Sequence, residues 1–310
     1  MNLDFIGKRA TFFTVSLVAV IVCLGIIFNY GLNLSIEFKS GSVIRLTFAE
    51  NVSTDDVKKT LSMDKFGEFF KKVEVQQISA DNVIANSGSE FFVTSDFIAK
   101  HDGAQNIEDK LVEELQKSFP SVRVSEFVNV GASIGDDLKE SAIYSIVFSI
   151  LVIIFYISIR FEFKFSIVAI VALVHDVTIV LGLFAFFHKE FSASTIAALL
   201  TIIGYSLNDT IVVLDRVREN MKLLRKEKFD FIVNSSINQS LSRTLNTSVT
   251  TLAPIIILFV FGGTGVNAFS FAMLIGVIVG TYSSVCIASP LLVSLLSPEM
   301  TPEEVQKAVA

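Results

Sequence analysis

The stretch 11–31, TFFTVSLVAVIVCLGIIFNYG, decides the fold. It carries no charge and reaches about the 20 residues that a helix needs to cross the hydrocarbon core of a bilayer. Lys8 and Arg9 flank its start. It is too long for a signal-peptide core and no A-x-A-like cleavage site follows, so it reads as an uncleaved signal anchor. A polar region comes next, and the chain then turns apolar nearly to its end. The apolar runs predict five more spans at 138–159, 165–187, 191–214, 244–262 and 269–297, the last long enough to tilt. Composition agrees: apolar residues make up 52% of the 310 and charged residues 18%, where globular chains average about 45–50% and 25%. The excess belongs in lipid. Such a chain is too apolar for disorder. Its two cysteines, Cys23 and Cys286, lie inside apolar runs and read as small core hydrophobes, which leaves neither a disulfide scaffold nor metal or redox chemistry.

Charge sorts the remainder. Residues 32–137 hold 11 Lys and Arg against 18 Asp and Glu, an acidic surface that repels phosphate backbones and excludes nucleic acid as a partner. Basic residues mark the loops 160–164 (Arg160, Lys164) and 215–243 (Arg216, Arg218, Lys222, Arg225, Lys226, Lys228, Arg243), whereas the opposite loops hold only Lys189 and the uncharged GGTGVN at 262–267. The positive-inside rule then predicts an N-terminal segment and a tail, 298–310, in the cytoplasm, with region 32–137 outside it.

Within that outer region SVIRLTF (42–48), VEVQQIS (73–79), SEFFVTS (89–95) and VRVSEFVNV (122–130) mix β-branched and polar residues as half-buried strands do. Ser53, Thr54 and Asp55 are candidate caps of a helix after the first strand. In QNIEDKLVEELQKSF (105–119), Ile107, Leu111, Leu115 and Phe119 share one helix face. The order βαββαβ predicts a ferredoxin-like α+β domain. The fold class is thus a polytopic α-helical membrane protein of six transmembrane helices, with an extracytoplasmic ferredoxin-like domain between the first and second.

Charges inside the membrane are the strongest functional signal, because an Asp or Arg at a helix centre costs roughly 2.5–3.5 kcal/mol. In FSASTIAALLTIIGYSLNDTIVVLDRVREN (191–220), Asn208 and Asp209 lie about six residues inside the helix end at Asp215, roughly 9 Å deep. Asp209 reads either as a helix-end carboxylate satisfied by snorkelling or by a nearby hydroxyl, or as a protonatable group in an ion path. His175 and Asp176 fall about ten residues into the span 165–187. They read as a hydrogen-bonded pair that fixes packing or as a proton relay. Arg243 opens SRTLNTSVTTLAP, with Thr247 and Thr250 following on its own face like a wet wall, and Pro254 predicts a kink.

Several motifs are decoys. Gly131-Ala132-Ser133-Ile134-Gly135 matches a nucleophile elbow, but the outer domain is too small for a hydrolase sheet and the downstream histidines lie in or beside the membrane. No H-E-x-x-H occurs. The glycines at 262, 263 and 265 form a turn, and Gly276 and Gly280 make a GxxxG suited to a close helix contact. The chain reads as a non-enzyme without a cofactor or metal.

Together, GLNLSIEF (31–38), VGASIGDDL (130–138), VHDVTIVLG (174–182), GYSLNDTIVVLDRVREN (204–220) and SLSRTLNTSVTTLAP (240–254) give nearly the whole chain a resemblance to the SecF family. That family supplies the smaller subunit of the SecDF accessory complex of bacterial protein export and belongs to the resistance-nodulation-division superfamily. The resemblance implies a heterodimer with SecD in the bacterial inner membrane, docking on the SecYEG channel, YajC as a further associate, and proton-motive force used to draw translocating preproteins outward. It also implies that Asp209 is the proton-carrying Asp of the fourth helix, Arg243 its partner on the fifth, and Thr247 a hydroxyl nearby. The chain departs from the family in having Glu37-Phe38-Lys39-Ser40-Gly41 where an Asp-Phe and a Gly pair are usual, and Ala132 where Pro is usual. Other readings are half of another proton-driven exporter of the superfamily, a non-transporting assembly factor for SecD, and SecD itself, whose outer region is typically much larger.

Overall fold

The computed structural model describes residues 3–39, 41–62, 73–78, 89–95, 112–113, 115–130, 132–160 and 163–296. The tail 298–310 expected in the cytoplasm lies outside them, as do Gly131 and most of the helix expected over 105–119. The chain divides into two compact units, one of residues 34–143 and one of residues 1–33 with 144–310.

The smaller unit holds strands β1 (Gly41–Phe48), β2 (Val73–Ile78), β3 (Glu90–Ser95) and β4 (Val122–Val130), with helix α2 (Thr54–Leu61) after the first. They pair antiparallel in the order β2-β3-β1-β4, which is the ferredoxin-like arrangement expected from the element order. Alternate residues of β1, Ile44, Leu46 and Phe48, share one face and pack on Val57 and Leu61 of α2, Phe91 and Val93 of β3, and Leu115. Phe48 meets Phe91 and Phe119 edge to face at 5.5 and 5.2 Å. The N-cap of α2 is Ser53, whose Oγ accepts the Asp56 N–H at 3.1 Å. A bulge between Arg45 and Leu46 shifts the β1–β4 register. Gly41 has φ +150°, and a Cβ there would stand 2.8 Å from the Ser95 carbonyl oxygen. The one glycine of the family's pair that this chain has at 40–41 therefore sits where a side chain cannot.

Among the described residues six helices are long and apolar enough to cross a membrane: α1 (Arg9–Tyr30), α3 (Ala132–Arg160), α4 (Phe163–Phe186), α5 (Ala193–Leu223), α6 (Phe229–Phe261), and a last one formed by α7 (Thr264–Ser283), a π-turn (Ser284–Ala288) and α8 (Ser289–Leu296). Ala132 to Gly135, part of the apparent nucleophile elbow, lie in the first turns of α3. The core joins Phe165, Val168 and Leu173 of α4 to Ile203, Leu207, Val213, Val217 and Met221 of α5, and to Phe229, Ile232 and Val285. By contrast, α1 and α3 present runs of exposed apolar side chains such as Val18, Ile21, Phe148 and Leu151.

The segment 215–243, expected as a basic loop, is mostly helix. α5 runs on to Leu223, and α6 begins at Phe229 and continues through Pro254. The hydropathy pattern marks only the lipid-facing length, whereas these extensions are amphipathic and bury Val217, Met221, Ile232, Val233 and Ile237 against one another. Polar contacts fasten them. Asn220 Nδ2 donates to Ser236 Oγ (2.8 Å) and Gln239 Oε1 (3.0 Å), and Arg216 Nε donates to the same Gln239 oxygen (2.6 Å). On the other side of α6, Asn238 exchanges two hydrogen bonds of 2.8 Å with the Leu3 backbone, and Asn234 Oδ1 accepts the Phe5 N–H at 2.9 Å.

Candidate functional site

All six residues singled out in the membrane sit on α4, α5 and α6, but their surroundings differ sharply. Asp176 is completely buried. Its Oδ1 lies 2.9 Å from His175 Nδ1, and its Oδ2 accepts the hydroxyl protons of Ser206 on α5 (2.6 Å) and Ser283 on α7 (2.7 Å). One carboxylate thus joins three helices. His175 is buried as well, and its Nε2 has no hydrogen-bond partner among the described residues.

Asp209 is 2% exposed, and its Oδ2 is a buried oxygen without a hydrogen-bond partner among the described residues. The satisfying hydroxyl that a purely structural carboxylate needs is missing. Its neighbours on α5 are tied down: Thr210 Oγ1 lies 3.1 Å from Ser284 Oγ, and Ser206 holds Asp176. Arg243 of the neighbouring α6 makes no ion pair with Asp209 among the described residues. Arg243 lines a cleft of about 740 Å³ between α5 and α6, together with Asp215, Glu219, Gln239 and Ser240. In that cleft Arg216 and Arg218 pair with Glu219 and Asp215 one turn away on their own helix.

Two candidates stand apart. Asn208 is exposed on the side of α5 away from the buried face that holds Asp209. Thr247 and Thr250, expected as a wet wall, turn their hydroxyls back onto the carbonyls of Arg243 (2.9 Å) and Asn246 (2.9 Å). In a helix that lacks other acceptors, a threonine satisfies itself on the preceding turn.

Pattern reading missed the residues that hold the site: Ser206, Thr210, Ser283 and Ser284, and with them Ser248, whose Oγ lies 2.7 Å from Thr281 Oγ1 and accepts the Tyr205 hydroxyl at 3.4 Å. Their signal is faint, a hydroxyl at each turn of an otherwise apolar helix. No group of three or more His, Cys, Asp and Glu side chains among the described residues is arranged to hold a metal ion.

The comparisons agree on one class of protein. Residues 110–297 match the family described as protein export membrane protein SecD/SecF, C-terminal, and residues 25–52 match the SecD/SecF GG motif. The chain belongs to this family of membrane-embedded export proteins.

Within it, the relatives of matching length are SecF subunits. The chain is 40% identical over 294 residues to protein translocase subunit SecF of Calditerrivibrio nitroreducens, covering 94% of this chain and 93% of that one. It is 36% identical to that of Petrotoga mobilis, covering 95% and 96%. Protein translocase subunit SecDF of Thermus thermophilus is 36% identical, and there the match spans 94% of this chain but 38% of the relative. The crystal structure of SecDF from that organism, described as a translocon-associated membrane protein, superposes with a TM-score of 0.82 at 34% identity, over 95% of this chain and 39% of the other. SecDF in its super-membrane-facing form gives 0.68 at 33% identity, over 99% and 40%.

Proposed function

We propose that the chain serves the Sec protein translocase as the SecF half of a SecD–SecF pair, in which proton entry through the membrane drives export of preproteins. Asp209 carries the proton and Arg243 is its counter-charge. When Asp209 is ionised, the two attract. When a proton from the outer side neutralises it, the attraction lapses, and the α5–α6 cleft relaxes toward a second arrangement. Each charge crossing the field supplies about 2.3 kcal/mol per 100 mV, enough to bias a two-state element. The chain performs no catalytic chemistry of its own and takes no cofactor. Its setting is the bacterial inner membrane, with the basic α5–α6 turn in the cytoplasm and the acidic ferredoxin-like domain outside. SecD supplies the other half, SecYEG is the channel it serves, and YajC is a further associate.

One observation carries the reading: a buried carboxylate oxygen on a spanning helix that finds no donor among the described residues, with Arg243 lining the cleft between that helix and the next. Such a group is costly to keep and suits a site that must gain and lose a proton. The test is preprotein export into membrane vesicles with and without an imposed proton gradient, at equal abundance of the chain. Asp209→Asn should insert normally, because Asn is isosteric and removes a buried charge, yet lose the gradient-dependent increment. Asp215→Asn, whose side chain is exposed and pairs with Arg218, should lose little. Full retention of the increment in Asp209→Asn would leave the assembly-factor role in its place.

A further inference from the structure

The proton path as read from the sequence includes two acidic groups, Asp209 and the His175–Asp176 pair. Their hydrogen bonding separates their roles. A group that gains and loses a proton in each cycle must remake its hydrogen bonds each time. Among the described residues Asp209 Oδ2 has none to remake, whereas the bonds of Asp176 hold three helices together. Ser206 Oγ–H, 2.6 Å from Asp176 Oδ2, has no other acceptor among its described contacts. Ser283 Oγ is closer to Asp176 (2.7 Å) than to its own-helix carbonyl at Gly280 (3.1 Å).

The placement of these ties relative to Asp209 matters. Ser206 precedes Asp209 by three residues and Thr210 follows it by one, so both bracket the same turn of α5. Ser206 is bound through Asp176 to Ser283, and Thr210 lies against Ser284 (3.1 Å), the next residue of the same span. Gly280, one turn earlier on α7, lets Ser206 approach so closely that a Cβ there would lie 3.0 Å from the Ser206 Cβ. Immediately after Ser283 the helix widens into the buried π-turn Ser284–Ala288, where Ser289 Oγ–H donates to the Ser284 carbonyl at 3.0 Å. Local π geometry of this kind concentrates at functional sites.

We infer that Asp176 is a positioning residue: its carboxylate grips α5 through Ser206 and α7 through Ser283, and so fixes the rotation of the α5 turn that presents Asp209. His175 completes the grip by occupying the other carboxylate oxygen. Asp209 can remain unsatisfied because the restraint lies on its neighbours, and a helix face held this way does not rotate to find a partner for it. The inference rests on Asp209 being the proton carrier, and it removes Asp176 from that role.

The test uses the full chain in the same vesicles, with Cys23 and Cys286 replaced and Thr210→Cys and Ser284→Cys introduced as a cross-linking pair. Asp176→Asn and, separately, Ser206→Ala should slow formation of the 210–284 disulfide about fivefold or more. In the chain with native Thr210 and Ser284, both variants should shift the pH profile of the gradient-dependent increment while retaining part of it. Asp209→Asn should leave the cross-linking rate unchanged. Unchanged cross-linking in both clasp variants overturns the inference, whatever happens to export. So does loss of the increment at every pH in Asp176→Asn while Ser206→Ala keeps a wild-type profile, because that pattern belongs to a carrier. Should Asp176→Asn fail to accumulate, Ser206→Ala decides the question alone. Survival of the increment in Asp209→Asn would defeat the proton-carrier reading, and the cross-linking rates would still decide the clasp.

Discussion

Gly276 on α7 faces Ile202 on α5, and the contact leaves no room for a methyl group. A Cβ built at Gly276 would stand well inside van der Waals distance of Cδ1, Cγ1 and Cγ2 of Ile202. A flexible Cδ1 could swing away, but Cγ1 and Cγ2 branch from the same Cβ, so no single rotation clears both. Gly276→Ala must therefore push α5 and α7 apart or force Ile202 off its rotamer, at a cost of about 1–3 kcal/mol. Ile202 is 1% exposed, so Ile202→Ala alone leaves a cavity and costs about 2–5 kcal/mol. In the double variant the new methyl group enters the space vacated, and the two penalties partly cancel. The expected coupling energy is about 1–3 kcal/mol in the stabilising direction, measured as a double-mutant cycle of unfolding in mixed detergent micelles. Separated sites add to within about 0.5 kcal/mol. Additivity within that margin would refute the close contact, and with it the helix pairing that aligns Ser206 with Ser283.

The isolated segment 36–130 should melt cooperatively by circular dichroism as an acidic α+β domain. In it Phe48→Ala should cost about 3–5 kcal/mol, because a fully buried ring with two edge-to-face neighbours is lost. Ser53→Ala should cost that domain about 0.5–2 kcal/mol in denaturant titration, since the Asp56 N–H loses its cap. In a chain without Cys23 and Cys286, Gly265→Cys should react with a membrane-impermeant thiol reagent in intact cells, and Lys226→Cys only after permeabilisation. Labelling of Lys226→Cys in intact cells would reverse the orientation.

The sequence by itself determined the number of spanning helices, because a run such as 11–31 has no stable place except lipid. It determined the α+β character of the smaller unit, because β-branched alternation in 42–48 and 122–130 suits a half-buried sheet, and the order of elements admits few sheet topologies. It also singled out Asp209 and Asp176, since a carboxylate inside an apolar helix is conspicuous at any spacing. What it left undivided was the difference between them. Both are acids within apolar helices, and periodicity has nothing to say about which one meets donors from other helices. That depends on side chains at long range, Ser206 thirty residues from Asp176 and Ser283 more than a hundred, brought together where glycines let α5 and α7 touch. The helical extent of 215–243 was hidden for a related reason: hydropathy registers contact with lipid, whereas those turns are held by burial against each other and by Asn220, Asn234 and Asn238. Only tertiary structure shows which polar groups are satisfied, because hydrogen bonds between helices are properties of packing and not of the chain's local pattern.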